Sequence, residues 1–238
     1  MAGHSKWANI KHRKASQDSK RGKIFTKLIK EITVAARAGG GEPDHNPRLR
    51  LLLDKARHVN MPSDNTTRAI KKGTGELPGV HYEAHMYEGY GPAGSAVLVE
   101  VLTDNKNRAV ADLRKTFSRR GGNLGEAGSV SWMFNHEGVI RVKPEGLSED
   151  DLLEALIDFD VEDISVHDDL ATILCDKKQI ETVRKILVDK GLTVESAELE
   201  WVAKDPVELD EKNATKVFDF LEAIEDMEDV QNVYSNAG

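Results

Sequence analysis

A single cysteine, Cys175, stands in the 238 residues, so no disulfide can close within the chain and a reducing compartment is expected. Long apolar runs are missing too. The longest, such as Ser95 to Leu102, falls far short of the roughly 20 residues a membrane-spanning helix needs, which argues against a membrane protein. The opening Met1-Ala-Gly-His-Ser-Lys-Trp7 holds no apolar stretch of the secretory type, and Ala2 in place of Gly excludes N-myristoylation. Metal motifs are equally scarce. His81 and His85 stand four apart in a strand-like run, where that spacing does not converge, and neither a cysteine partner nor an H-E-x-x-H order accompanies them. Cys175, beside Leu174 in an apolar strand, reads as a buried and inert thiol. The many carboxylates of the second half show no matched basic or apolar pocket, so no acid/base pair is nominated. The expectation is a non-enzymatic protein with no catalytic residue, no cofactor and no metal.

What is present is charge, divided unequally. Apolar residues make up 39% and charged residues 31%, a soluble globular composition with enough chain for several small cores. The net charge of −8 conceals a split. Residues 1–72 carry 17 Lys+Arg against 6 Asp+Glu, a net of +11, while residues 73–238 carry 16 against 35, a net of −19. The first region attracts polyanions and the second repels them. An excess of eleven positive charges over one small module opposes compact folding unless counter-charge arrives.

The pattern predicts three helices first. Over residues 19–38, Phe25, Leu28, Ile29, Ile32 and Ala36 share one face, and Lys20, Lys23, Lys27, Lys30 and Arg37 share the opposite one. Gly39, Gly40 and Gly41 end that helix. A second opens at Asn46-Pro47 and buries Leu49, Leu52, Leu53, Ala56 and Val59. A short third is expected to be capped by Ser63, anchored by Ile70 and stopped by Gly73. After a linker at 73–80 come two strands, 82–90 and 95–103, a helix over 107–119, a glycine-rich loop over 121–128 and a strand over 130–134. Residues 137–202 then alternate as βαββαβ, the order of a ferredoxin-like unit, with Ser148 and Asp151 as a capping box. A helix over 211–227 and a strand over 230–234 cannot form a core alone, so they return to the sheet begun at Tyr82. The fold class is α+β. It comprises a basic all-α domain (1–75), a discontinuous α+β domain (80–135 plus 203–238) and an inserted ferredoxin-like domain (136–202).

The basic arm and first helix carry the main binding signal. Lys6, Lys11, Arg13, Lys14, Lys20, Arg21, Lys23, Lys27, Lys30 and Arg37, with His12 interleaved, suit phosphate neutralisation with counterion release. Trp7 either stacks on an exposed base or staples the arm to the first helix. The second and third helices have helix-turn-helix spacing, which would turn Asn65 and Arg68 toward base edges, although short helix pairs are also ordinary packing units. A second basic patch lies in the acidic half: Lys106, Arg108, Arg114, Lys115, Arg119 and Arg120. There the loop Gly121 to Gly128 either offers its backbone N–H groups to a phosphate or simply caps a helix and enters a strand. Gly89-Tyr-Gly-Pro-Ala-Gly94 matches G-x-G-x-x-G literally, but a strand follows it and Pro92 has no N–H, so it reads as a hairpin turn.

Several stretches are similar to one known family. Ala2-Gly-His-Ser-Lys-Trp-Ala-Asn-Ile-Lys-His-Arg-Lys14, Lys20-Arg-Gly-Lys-Ile-Phe-Thr-Lys-Leu28, Asn46-Pro-Arg-Leu-Arg50 and Arg68-Ala-Ile-Lys-Lys-Gly73 resemble the YebC/PmpR family. So do Tyr87-Glu-Gly-Tyr-Gly-Pro92, Leu102-Thr-Asp-Asn-Lys-Asn-Arg108 and Gly121-Gly-Asn-Leu-Gly125. One departure is Ala93, where the family pattern reads Gly. The resemblance implies three domains, the third inserted in the second. It implies a DNA-binding transcriptional regulator in the cytoplasm. A mitochondrial relative, a translational activator of cytochrome c oxidase subunit I, points instead to messenger RNA and the ribosome, and other members resemble ribosome-associated translation factors that relieve stalling at proline runs. The acidic domains would meet a protein partner or project away. Because the chain begins at the Gly-His-Ser-Lys-Trp motif, a bacterial, cytosolic protein is expected.

Overall fold

The computed structural model describes residues 21–159, 161–167 and 169–237. Helix α1 (Arg21–Gly39) buries Leu28, Ile32 and Ala36 and half-buries Phe25 and Ile29, as its apolar spacing requires. Gly40, at φ +86°, reverses the chain where a Cβ would be strained. Asn46 then ties two helices together. Its side-chain oxygen accepts from Leu49 N–H at 3.1 Å and caps α2 (Pro47–His58), while Nδ2 donates to the carbonyls of Ala35 and Gly40, each at 2.9 Å.

Helix α3 (Ser63–Thr74) departs from expectation at both ends. Ser63 is its first helical residue, and Pro62 holds the cap position without a side-chain bond. Gly73 is not the stop. It lies where α3 crosses α1, and a Cβ there would stand 2.5 Å from the Thr33 carbonyl oxygen and 2.7 Å from Ala36 Cβ. Gly75, at φ +86°, ends the helix. The two glycines meet different needs, close approach and positive φ, which a sequence pattern does not separate.

The rest of the chain runs β1 (Glu83–Tyr90), β2 (Ala96–Thr103), α4 (Lys106–Arg119), β3 (Asn123–Leu124), β4 (Phe134–Lys143), α5 (Glu149–Leu156), β5 (Val161–His167), β6 (Leu170–Cys175), α6 (Ile180–Asp189), β7 (Thr193–Ala203), α7 (Glu211–Glu225) and β8 (Val230–Ser235). Two four-stranded antiparallel sheets result, ordered β3-β1-β2-β8 and β5-β6-β4-β7. The final strand pairs with β2, so the ferredoxin-like domain is inserted in the second domain. The expected strand over 130–134 is corrected. Ser131–Met133 form a 3₁₀ turn, and β4 starts at Phe134 and runs unbroken to Lys143. The reason is local: the N–H groups of Val130 and Ser131 are taken by the Glu88 carboxylate, each at 2.8 Å, and cannot join a ladder.

On one face of the first sheet, α4 and α7 meet through Leu113, Phe117, Val217, Phe220 and Ile224. Phe117 and Phe220 pack edge to face at 5.0 Å. The other face, with Ala96, Leu98 and Tyr234, packs on Phe134 and Ala203 at the root of the inserted domain. Trp201 on β7 lies stacked at 4.7 Å on His136. The second sheet carries α5 and α6 over a core of Ile140, Leu152, Leu156, Ile173, Val183 and Leu187. The Ser148–Asp151 capping box is present.

The β1–β2 connection holds Ala93 at φ +56°. Ala93→Gly is therefore expected to stabilise the protein by roughly 0.5–1 kcal/mol. Relief of about 1–2 kcal/mol of left-handed strain outweighs the roughly 0.4–1 kcal/mol lost to a freer unfolded chain. A raised urea midpoint checks this, and an unchanged or lowered one contradicts it.

Candidate nucleic-acid interface

Of the residues expected to grip phosphate, Lys6, Trp7, Lys11, His12, Arg13, Lys14, Lys20 and the side chain of Arg21 lie outside the described residues. The lysines of α1 are described, and their placement is a correction. Lys27 donates to the Glu225 carboxylate at 3.1 Å and to the Glu225 carbonyl at 2.8 Å. Lys30, only 5% exposed, donates to Asp229 Oδ1 at 3.0 Å and to the Glu228 carbonyl at 3.1 Å, and its ammonium lies 5.6 Å from the Tyr82 ring centre. Lys23 pairs with Asp226 at 3.2 Å from a more exposed position. The charged face of α1 is thus turned toward the acidic turn between α7 and β8. Helical periodicity separates two faces of α1 but does not say what the polar face meets. Arg37, exposed, donates to His81 Nδ1 at 2.7 Å.

Asp229 is the centre of this seam. Besides Lys30 it accepts from Arg108 at 2.9 Å and from Thr103 Oγ1 at 3.0 Å, and its own carbonyl accepts from Leu102 N–H at 2.9 Å. Burial works against its ionisation, yet the bonds from Arg108 and Lys30 hold its carboxyl below the usual range. A second seam joins α2 to β7 through Lys55 and Glu198 at 3.0 Å. Burial disfavours both charges there, but each favours the other, so the ammonium is raised and the Glu198 carboxyl lowered. Glu31, beside them, is raised by burial despite the attraction of Lys55. Behind it, Arg141 meets Glu200 in a two-pronged pair at 2.6 and 3.0 Å.

The cations left facing outward on the helical domain are different ones. Arg48, Arg68 and Lys71 are exposed and Lys72 is half-buried, and none makes an ion pair among the described residues. Arg68, Lys71 and Lys72 stand at i, i+3 and i+4, on one side of α3, with Asp64 four residues before Arg68. The opposite side of α3, Ala69 and Gly73, is buried. The α2–α3 pair keeps the four-residue link of a helix-turn-helix, with Asn65 half-buried and Arg68 outward.

In the second patch, Arg108 is committed to Asp104 and Asp229, at 2.8 and 2.9 Å. Lys106, Arg114, Lys115, Arg119 and Arg120 are exposed, with no ion pair among the described residues. A groove of about 400 Å³ runs between Lys115, Arg119 and Asp112 on α4 and Glu228 and Asp229. The glycine loop beside it does not await a phosphate. Glu88 Oε1 accepts from Gly128 N–H and Oε2 from Val130 and Ser131 N–H, all at 2.8 Å, so an internal carboxylate fills the anion cradle. Burial opposes this charge, and the three backbone bonds outweigh it and lower its pKa. Glu88 and Asp229 were not singled out by spacing. The only hint at Glu88 is an acid set before a glycine turn.

His85 meets Glu83 at 3.3 Å, and no group of His, Cys, Asp or Glu among the described residues could hold a metal. Burial, with help from Asp176, pushes the Cys175 thiol up to about 11. No helix among the described residues is long and apolar enough to cross a membrane.

The chain matches two family models, the TACO1/YebC protein N-terminal domain over residues 5–76 and the TACO1/YebC second and third domain over residues 82–237. A protein of Chlorobaculum tepidum named "Probable transcriptional regulatory protein" is 53% identical over 237 residues, covering 99% of this chain and 94% of that one. One of Desulfosudis oleivorans with the same description is 52% identical, covering 100% and 96%. The crystal structure of a conserved hypothetical protein from Aquifex aeolicus superposes with a TM-score of 0.85 at 42% identity, covering 93% of this chain and 91% of that one.

Asp229→Asn is expected to cost about 3 kcal/mol, because it leaves the buried Lys30 ammonium without its counter-charge. A denaturation midpoint measures this, and a loss of a few tenths of a kcal/mol contradicts it. The pH dependence has a definite sign. Asp229, Glu198 and Glu88 all have folded pKa values below their unfolded ones. Their stabilisation is complete above the unfolded values of about 4 and is lost as pH falls through the folded ones. Glu31, raised, runs the other way and offsets part of the loss. Stability measured from pH 7 downward should therefore fall most steeply below about pH 4.

Proposed function

We propose, from the premise that this chain belongs to the TACO1/YebC family, that the protein is a regulator of gene expression that binds DNA through its basic helical domain. It acts by binding and has no catalytic step, and it works in the cytoplasm. The observation that carries the reading is the charge of residues 1–72, 17 basic against 6 acidic, combined with how the described part is used. Lys23, Lys27, Lys30 and Lys55 are matched by acids of the other two domains. Arg48, Arg68, Lys71 and Lys72 are not matched and lie on the outer surface. An outward row of unmatched cations at helical spacing attracts a phosphate chain and releases its condensed counterions. The names of the Chlorobaculum and Desulfosudis relatives support transcription as the process. The basic residues Lys6, Lys11, Arg13 and Lys14 add further phosphate contacts in this reading, and Lys106, Arg114, Lys115, Arg119 and Arg120 provide a second region of phosphate binding.

Two variants test the proposal: Arg68→Gln/Lys71→Gln/Lys72→Gln, and Lys6→Gln/Lys11→Gln/Arg13→Gln/Lys14→Gln. Each should weaken duplex binding and flatten the slope of log K against log salt, by about 0.9 for every phosphate that is no longer neutralised. The α3 variant should leave the folded-state midpoint within about 0.5 kcal/mol, since none of its three side chains is buried or ion-paired among the described residues. Unchanged duplex affinity in both variants contradicts the proposal. Sedimentation of a lysate with and without ribonuclease checks the nucleic acid: ribonuclease-sensitive migration with ribosomes would replace DNA by RNA.

A further inference from the structure

Trp132 is 65% exposed and Tyr90 is 40% exposed, and both rings are tethered to one atom. The indole Nε1–H and the Tyr90 hydroxyl each donate to the Ser129 carbonyl at 3.2 Å. The polar tip of each ring is thereby satisfied within the protein, and what remains outward is aromatic surface. The backbone beneath is fixed. Glu88 holds the N–H groups of Gly128, Val130 and Ser131, and the Lys204 ammonium donates to the Trp132 carbonyl at 2.8 Å. An indole presented on such a support has little conformational freedom left to lose on binding.

The surroundings select a ligand. Arg120-Gly121-Gly122-Asn123 runs alongside Tyr90: Asn123 is its ladder partner, and a Cβ at Gly122 would stand 2.7 Å from the Tyr90 carbonyl oxygen. That segment starts at exposed Arg120, three residues before the ladder partner of Tyr90, and Lys204, bonded to the Trp132 carbonyl, adds a second cation. The exposed acids at this edge are Glu126 and Asp205, and the Glu88 charge is spent on its three backbone bonds. Gly121 and Gly128 leave open space where side chains would otherwise stand. The most exposed aliphatics, Leu153 on α5, Ile157 at its C-terminal cap and Val188 on α6, belong to the inserted domain. Aromatic faces flanked by arginine and lysine form the pairing that takes an unstacked base with its phosphates.

We propose that Trp132 and Tyr90 form a stacking platform for an unpaired base of single-stranded DNA, with Arg120 and Lys204 taking the adjoining phosphates. This deepens the nucleic-acid reading given above and rests on it. It gives the protein two binding regions of different character: cations on α3 for the sugar–phosphate chain of a duplex, and an aromatic site for a base displaced from its stack.

The test uses the full chain with Trp7→Phe/Trp201→Phe, which leaves Trp132 as the single indole. Titration with an oligothymidine of about 15 nucleotides should quench its emission as base and indole stack. In the otherwise native chain, Trp132→Ala should weaken that strand about 5- to 150-fold, the equivalent of about 1–3 kcal/mol for one stacked base, and Trp132→Phe should restore most of the affinity. The denaturation midpoint should stay within about 0.5 kcal/mol in both, because the side chain is exposed. Unaltered emission at saturation, or wild-type strand affinity in Trp132→Ala, overturns the platform. If the α3 triple variant loses duplex affinity at the same time, the general reading survives that failure; if no nucleic acid binds the native chain, both fall. An oligouridine that binds more tightly and quenches more fully than oligothymidine overturns the assignment to DNA.

Discussion

The Asp229 carboxylate holds together parts of the chain that sequence alone keeps far apart. It accepts from Lys30 on α1, from Arg108 on α4 and from Thr103 at the end of β2. With Lys27 on Glu225 and Lys55 on Glu198, it sets how the helical domain sits on the other two. Desolvating Lys30 is tolerable because an anion and a carbonyl meet it, and the same burial makes the pair costly to break from one side only. The seam is therefore specific in register as well as attractive.

That use of charge explains how a module with 17 basic and 6 acidic residues in its first 72 can dock compactly within a chain of net −8. Acids of the second half neutralise the inward lysines, and the outward cations keep their field. In the proposed function a nucleic acid meets only the second set. The acidic composition of the later domains has an internal purpose on this view: Glu198, Glu225, Asp226 and Asp229 receive the lysines of the first domain, and Glu88 fills a cradle of backbone N–H groups that an external phosphate would otherwise enter.

Much of the fold was legible because it rests on periodicity. The i, i+3, i+4 stripe of α1, the Asn46-Pro47 start of α2, the Ser148–Asp151 capping box and the βαββαβ alternation are all local patterns with one physical reading. The return of β8 to β2 followed from the inability of a lone helix and strand to bury themselves. The candidate site was less legible, because it depends on long-range partners. Nothing local marks Lys30 as buried and Lys71 as open, since both are lysines on polar helix faces. Gly73 and Gly75 look alike until α1 is packed beside one of them. The 130–134 segment carries strand-forming residues, yet a glutamate more than forty positions earlier takes its N–H groups and bends it into a turn. Trp132 gave no signal in advance, because an exposed indole is recognised only once its neighbours are placed.

The division between inward and outward cations is tested most directly by hydrogen exchange of the intact protein with and without duplex DNA at low salt. Slowed exchange is expected across α3, Ser63–Thr74, with no change at residues 225–231, where the inter-domain seam stays closed. Faster exchange at 225–231 with α3 unaffected would show DNA displacing the acidic turn from α1, and would contradict the assignment.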